Sequence, residues 1–220
     1  RGLAAGLLLR AATERGAIPA LPQAIVSTAP PITTSSPDRT DLTGVYGNYA
    51  APLQVLSAPD GSLTLRRWSK DERQWDIANQ QQLRAHSDGN WWADGQSTAC
   101  YRFQTVLGHR YLIYRTLSAN ALYWAESPMG EWLAPQTPLW QAWQARLGSR
   151  WRYVSDSPDS LVSRLFSPVI WPIDALPELP GYILLDNEQL LSVVSDNEAG
   201  MAVKVPGQYG RDLLELRMVA

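Results

Sequence analysis

The sequence predicts a mainly β protein: an antiparallel barrel or two β subdomains, with an N-terminal helix and one short internal helix. From residue 42 to about 133, short apolar runs alternate with glycine-containing turns, which is typical of an antiparallel meander or barrel. Similar signals return between residues 150 and 220. Ten Trp and nine Tyr stand against two Phe, and rings with a polar tip suit half-wet surfaces and barrel mouths.

The chain opens on a predicted helix over residues 2–16, "GLAAGLLLRAATERG", because Ala, Leu, Arg and Glu are strong helix formers and Gly16 is a suitable stop. The prolines of "IPALPQ" end it. The next segment, "STAPPITTSSPDRT", has no apolar periodicity and is expected to be a linker. We therefore divide the N-terminal part into residues 1–26, the last helix of a preceding domain, and residues 27–41, a Pro/Ser/Thr linker.

Residues 42–148 are expected to form an antiparallel β domain that ends in a short helix. Two alternating runs flank "APDG", where proline fixes φ and glycine accepts a left-handed conformation, so a hairpin is predicted. Further strands are expected at "WWAD", "STACYRFQTV", "HRYLIYRTL" and "ALYWAES", with turns at Asp88-Gly89, Asp94-Gly95 and Gly108. In "TPLWQAWQARLG", Thr137 is a suitable N-cap, Pro138 suits the first helical position and Gly148 the stop.

Residues 149–220 are predicted to be a second β segment, which either completes the same barrel or forms a second subdomain. "RWRYVSD" is expected to be a strand, and "SPVIWPIDALPELPG" an extended connection because it holds four prolines. "YILLDNEQLLSVVSDNEAGMAVKVPG" is typical of two or three strands. The final "RDLLELRMVA" is expected to be cut short, leaving an open strand edge.

Composition narrows the classes of function. A net charge of −2 argues against a nucleic-acid surface, which needs a basic excess. The apolar run "LAAGLLL" is too short to span a membrane, and a chain that starts at Arg1 is expected to begin inside a longer protein. We predict no cofactor, since glycine-rich phosphate loops are missing, and no metal, since His86 and His109 belong to no spaced cluster. The single Cys100 is expected to be a buried, inert thiol.

One motif suggests catalysis. Tyr46-Gly47-Asn48 matches the Tyr-x-Asn loop with which one large group of serine hydrolases supplies a base and a substrate ligand. That mechanism also needs a Ser-x-x-Lys pair, and no serine here has a lysine three residues on. Lys-Thr-Gly and Gly-x-Ser-x-Gly are missing too. We therefore predict no catalytic residue, and we interpret Tyr46 as the start of a β-strand in which Gly44 and Gly47 permit a bulge or close packing.

Aromatic residues give the one positive indication of binding. They lie on neighbouring predicted strands, and inward-facing members could line a cup for an apolar ligand. We take Trp91, Tyr111 and Tyr123 as the candidate ligand-binding residues. The alternatives are a packed barrel interior or a face docked on another domain. Trp91 and Trp92 cannot both face inward, because adjacent strand residues point to opposite faces.

The order of these features resembles a known family. "GLAAGLLLRAATERGAIPALP", then "DLTGVYGNY", then "LPGYILLDNEQLLSVVSDNEAGMAVKVPGQYGRDLLEL" resemble the tails of β-lactamase-family serine hydrolases, the penicillin-binding-protein-like esterases and peptidases. Many of these carry C-terminal lipocalin-like β domains. The resemblance implies a non-catalytic, periplasmic or secreted β domain, inactive alone, that packs on the preceding catalytic domain of the same polypeptide or in a homo-oligomer. The alternative is a lipocalin-like module that binds a small apolar ligand.

Overall fold

One helix and fifteen strands are found in the described part of the chain. The computed structural model describes residues 2–18, 24–33, 40–47, 51–119, 121–136, 144–145, 147–151, 171–186, 189–196, 200–204 and 213–217. The helix is α1 (Gly2–Glu14), and a 3-10 turn spans Thr40–Leu42. The strands are β1 (Gly44–Gly47), β2 (Leu53–Ser57), β3 (Leu63–Ser69), β4 (Gln74–Trp75), β5 (Gln81–Ala85), β6 (Trp91–Ala93), β7 (Ala99–Val106), β8 (His109–Leu117), β9 (Trp124–Leu133), β10 (Arg150–Trp151), β11 (Trp171–Asp174), β12 (Tyr182–Leu185), β13 (Gln189–Asp196), β14 (Gly200–Lys204) and β15 (Leu213–Arg217).

Eight antiparallel strands close into a barrel between residues 44 and 133. Their order is β2-β1-β9-β8-β7-β6-β5-β3, and β3 pairs back onto β2 to close the ring. The two-residue β4 is an excursion that pairs only with β3 among the described strands. Consecutive strands are therefore neighbours, as in an up-and-down barrel. This confirms the predicted mainly β, antiparallel barrel.

Alternation along each strand fills the barrel interior with apolar side chains. Glycine permits the closest approach: a Cβ on Gly44 would lie 2.6 Å from Nε1 of Trp132, and the φ of Gly44 is +129°. This confirms the predicted close packing at the start of β1. The buried members of this interior cluster are Leu42, Tyr46, Leu53, Val55, Leu63, Leu65, Leu83, Trp91, Tyr101 and Leu112.

The turns lie where the sequence predicts them. In the β2–β3 hairpin, the backbone N–H of Ser62 donates to Oδ1 of Asp60 at 3.0 Å, and Gly61 has a φ of +77°. Gly89, Gly95 and Gly108 also have positive φ. Strand β5 was not predicted, because its sequence "QQLRA" is polar and, of these five residues, only Leu83 is buried.

The remaining described strands form a second antiparallel sheet, in the order β10-β11-β12-β13-β14-β15. It contacts the outer face of the barrel through one apolar cluster: Val45, Trp75, Leu133, Leu176, Leu179, Tyr182, Leu184 and Leu190. Of the two or three strands predicted after residue 181, three are present: β12, β13 and β14.

One expectation about this sheet was wrong. The proline-rich segment before residue 181 is not only a connection, because it contains β11. Ile173 pairs with Leu185, and Asp174 pairs with Leu184. Pro172 has no N–H to donate to the sheet, but its carbonyl accepts a hydrogen bond from the backbone N–H of Asp186 at 2.9 Å.

At the N-terminus, α1 and its stop at Gly16, with a φ of +70°, confirm the predicted helix. The described part of the Ser/Thr/Pro segment is bound to the barrel by backbone hydrogen bonds: Ser87 N–H donates to the carbonyl of Pro31, and Thr33 N–H to that of Ala85, both at 3.0 Å. Most of the predicted helix at residues 137–148 lies outside the described residues. Gly148, its predicted stop, has a φ of +83°.

Candidate functional site

Tyr46 is a structural residue of the barrel. Its side chain is fully buried, and its hydroxyl donates to the backbone carbonyl of Leu42 at 2.8 Å. Its ring contacts Phe103, with a centroid distance of 5.8 Å. Burial raises the pKa of Tyr46 far above its ordinary value. A phenol fixed in this way is not available as a base, and Asn48 lies outside the described residues.

The three aromatic residues predicted to bind a ligand do not lie together. Trp91 is buried inside the barrel, with its ring edge-on to Phe103 at 6.1 Å. Tyr111 alternates with the inward-facing Leu112 on β8 and so lies on the outer face. Tyr123 is exposed just before β9.

Trp92 lies on the other face of β6 from Trp91, as alternation predicts, and packs edge-on to Trp124 at 6.0 Å. At one point the barrel interior becomes polar, where Tyr101 and Tyr114 contact each other at 5.3 Å. The Tyr101 hydroxyl donates to Oε1 of Gln81 at 2.8 Å, and burial raises the pKa of Tyr101 to about 12. These contacts are those of a packed interior.

A cleft of about 340 Å³ lies outside the barrel, where the β3–β4 corner meets the second sheet. Its walls are two tryptophans, several apolar side chains and four polar ones. They are Trp68, Arg73, Gln74, Trp75, Asp174, Ala175, Pro177, Glu178 and Leu184. This cleft is the candidate functional site.

Two indole rings form one wall of the cleft. The rings of Trp68 and Trp75 are 5.4 Å apart and stand at 84° to each other. Trp75 is buried, and its Nε1–H donates to Oε1 of Glu178 at 3.3 Å. The hydrogen bond therefore links the barrel wall to the second sheet and fixes the carboxylate beside the aromatic rings.

An ion pair forms another part of the lining. The guanidinium of Arg73 binds the carboxylate of Asp174 on β11. Arg73 has a φ of +51°, a conformation that an L-residue with a long side chain adopts at a cost. The charged lining of the cleft is thus one cation and two carboxylates, from Arg73, Asp174 and Glu178.

Sequence reasoning missed this cleft because its partners are far apart along the chain. Arg73 and Asp174 are separated by 101 positions, and Trp75 and Glu178 by 103. The charged turn "SKDERQW" has the local composition of any solvated turn. The one usable local signal is the pair of tryptophans: Trp68 directly before this turn and Trp75 at its end.

Other reactive groups are held in structural contacts. Cys100 is buried, as predicted, and burial raises its pKa to about 11. Nδ1 of His109 binds Glu131, and Nδ1 of His86 contacts the carbonyl of Pro30. The described residues contain no group of three His, Cys, Asp or Glu placed to hold a metal ion.

None of the helices in the described ranges is both long and apolar enough to cross a bilayer. No protein-family model, no curated protein and no solved structure matches this chain. A function for it is therefore argued from the geometry of the fold and the cleft.

Proposed function

We propose that this chain is a non-catalytic β module that packs on a second domain: the C-terminal β region of a periplasmic or secreted serine hydrolase of the β-lactamase superfamily. The observation that carries the proposal is helix α1. Its leucines Leu7 and Leu8 are 64% and 72% exposed. A helix of 13 residues is marginal in water unless an apolar face is covered.

The composition of α1 supports a covered position. It has no acidic residue in its first turn and no basic residue in its last, so charges at its ends do not stabilise it in water. Covering an exposed leucine contributes about 1.5–3 kcal/mol. A second domain with an apolar surface would supply that contribution.

The filled barrel favours this proposal over the lipocalin-like alternative. A ligand cup needs an open interior, whereas Tyr46, Leu63, Leu83 and Leu112 fill the centre of this one and are fully inaccessible to solvent. The buried phenol of Tyr46 also favours a non-catalytic role.

Replacing the exposed leucines of α1 with charged residues tests the proposed packing. Leu7→Glu with Leu8→Glu is introduced into the 220-residue chain and into the longer polypeptide that carries the preceding domain. We expect the unfolding free energy of the longer protein to fall by about 3 kcal/mol or more, because two covered leucines are lost. In the shorter chain the change should stay within about 0.5 kcal/mol, as for other exposed positions.

Ile77→Glu is the matched control, because Ile77 is an exposed apolar residue outside α1. It should leave the unfolding free energy of both proteins nearly unchanged. Equal, small effects of the double variant in both proteins would refute the packing role. Labelled penicillin and a fluorophosphonate should tag the longer polypeptide at a Ser-x-x-Lys serine and leave the 220-residue chain unlabelled. A tagged serine within these 220 residues would refute the non-catalytic assignment.

A further inference from the structure

The cleft between the β3–β4 corner and the second sheet has the composition of a small-molecule site. We infer that it binds a small organic ammonium ion, held between two indole rings and the carboxylate of Glu178, beside the Arg73–Asp174 ion pair. This goes beyond the proposed function, since packing on a second domain requires no ligand. The argument rests on the aromatic rings, the charges, the volume and the backbone of the cleft.

Aromatic rings are the first requirement of such a site. Trp68 and Trp75 both line the cleft, and their planes meet at 84°, so they form a corner. The π face of an indole attracts a cation within about 6 Å of the ring centroid, and tryptophan is the best of the aromatic residues at this. Because Trp75 is buried and hydrogen-bonded to Glu178, the corner is rigid before a ligand arrives.

Charge selects the sign of the ligand. The two carboxylates of Asp174 and Glu178 outnumber the guanidinium of Arg73, and that guanidinium is bound to Asp174. Because Asp174 is neutralised by Arg73, the carboxylate of Glu178 gives the lining its net negative charge. That carboxylate repels an anion and attracts a cation. A neutral apolar molecule would gain from the indole rings alone.

Size and backbone support the same conclusion. A volume of about 340 Å³ lies at the lower end of the range of about 300–1,000 Å³ for small-molecule sites. Arg73 reaches Asp174 from a positive-φ position, and such residues persist where the surroundings hold them in place. The cleft therefore suits a compact ligand with one cationic group.

Calorimetric titration of the 220-residue chain with choline and with 3,3-dimethylbutan-1-ol tests the inference. The two molecules have nearly the same shape, but only choline carries the charge. We expect choline to bind saturably with a Kd of about 1 mM or lower, and the neutral alcohol at least about tenfold more weakly. Equal binding of the two, or no saturable binding of choline, would overturn the inference.

The variant Glu178→Gln removes the charge but keeps an oxygen that can accept the Nε1–H of Trp75. It should weaken choline binding by about threefold to tenfold. Glu14→Gln, on exposed α1, removes the same charge from another place and should leave the Kd unchanged. An equal loss in both variants would show a general charge effect and overturn the site.

Free ammonium compounds and lipid headgroups share this chemistry. Vesicles of phosphatidylcholine, with phosphatidylglycerol vesicles as control, separate the two sources. If the protein sediments with phosphatidylcholine vesicles and added choline releases it from them, the source of the ammonium group is a lipid headgroup. Choline binding without sedimentation would support a free ion. Sedimentation with both lipids that Glu178→Gln does not alter would count against the cleft.

Discussion

The turn of the β7–β8 hairpin carries a residue in an unfavourable conformation. Val106 pairs with His109, so Leu107 and Gly108 form a two-residue loop, with φ of +51° and +82°. This is the type I′ geometry that favours Asn-Gly, and it costs an L-residue such as leucine about 1–2 kcal/mol. Leu107 is 95% exposed, so its side chain gains almost nothing from packing. We expect Leu107→Asn to raise the unfolding free energy by about 1 kcal/mol, because asparagine tolerates this region.

Urea denaturation followed by tryptophan fluorescence measures the change. The midpoint should rise with an unchanged slope, and the melting temperature should rise by about 2–4 °C. Val26→Asn is the control, because Val26 is 90% exposed and is not among the positive-φ residues. It should have an effect close to zero. If Leu107→Asn were neutral or destabilising, the strain assigned to this turn would be absent.

Two further predictions concern the barrel wall. Gly44→Ala should lower the unfolding free energy by about 2–3 kcal/mol. The new Cβ would displace the Trp132 ring, break the 2.9 Å hydrogen bond from Trp132 Nε1–H to the carbonyl of Thr43, and strain the backbone. Urea denaturation measures the loss, and a neutral effect would contradict the close approach of Gly44 to Trp132. Cys100, whose pKa is raised from 9.0 to about 11, should stabilise the fold below about pH 9 and lose that contribution as the pH rises towards 11, because only the unfolded thiol then ionises. Cys100→Ser should flatten the decline in unfolding free energy between pH 8 and 11, and an unchanged slope would show that the thiol does not contribute.

Local signals predicted much of the barrel. "HRYLIYRTL" is β8 to the residue, because a run rich in aromatic and β-branched residues between Gly108 and Ser118 is typical of a strand. The β2–β3 hairpin follows from Asp60 and Gly61, whose side-chain bond and positive φ are properties of the residues themselves.

Contacts between residues that are distant along the chain could not be predicted from local sequence patterns. Strand β5 is polar along its length and becomes a strand only because Leu83 completes the interior between Leu63 and Ala93. The ring of Tyr111 makes it a candidate for ligand binding, but the register of β8 against β7 decides which face of the barrel it occupies. The cleft depends on contacts between segments about one hundred residues apart, and no local pattern encodes those.

The packing of strand β1 explains why Tyr46, although it matches a catalytic Tyr-x-Asn motif, has a structural role here. Tyr46 points into the barrel, where it belongs to the interior cluster. Its neighbour Val45 points outward and belongs to the cluster that joins the barrel to the second sheet. Gly44 admits the ring of Trp132 against the backbone. Three successive residues thus make three different close contacts. Tyr46 could free its hydroxyl for chemistry only by giving up its bond to Leu42 and its place in the interior cluster. Packing constraints on both faces of this short strand account for Gly-Val-Tyr without any catalytic requirement.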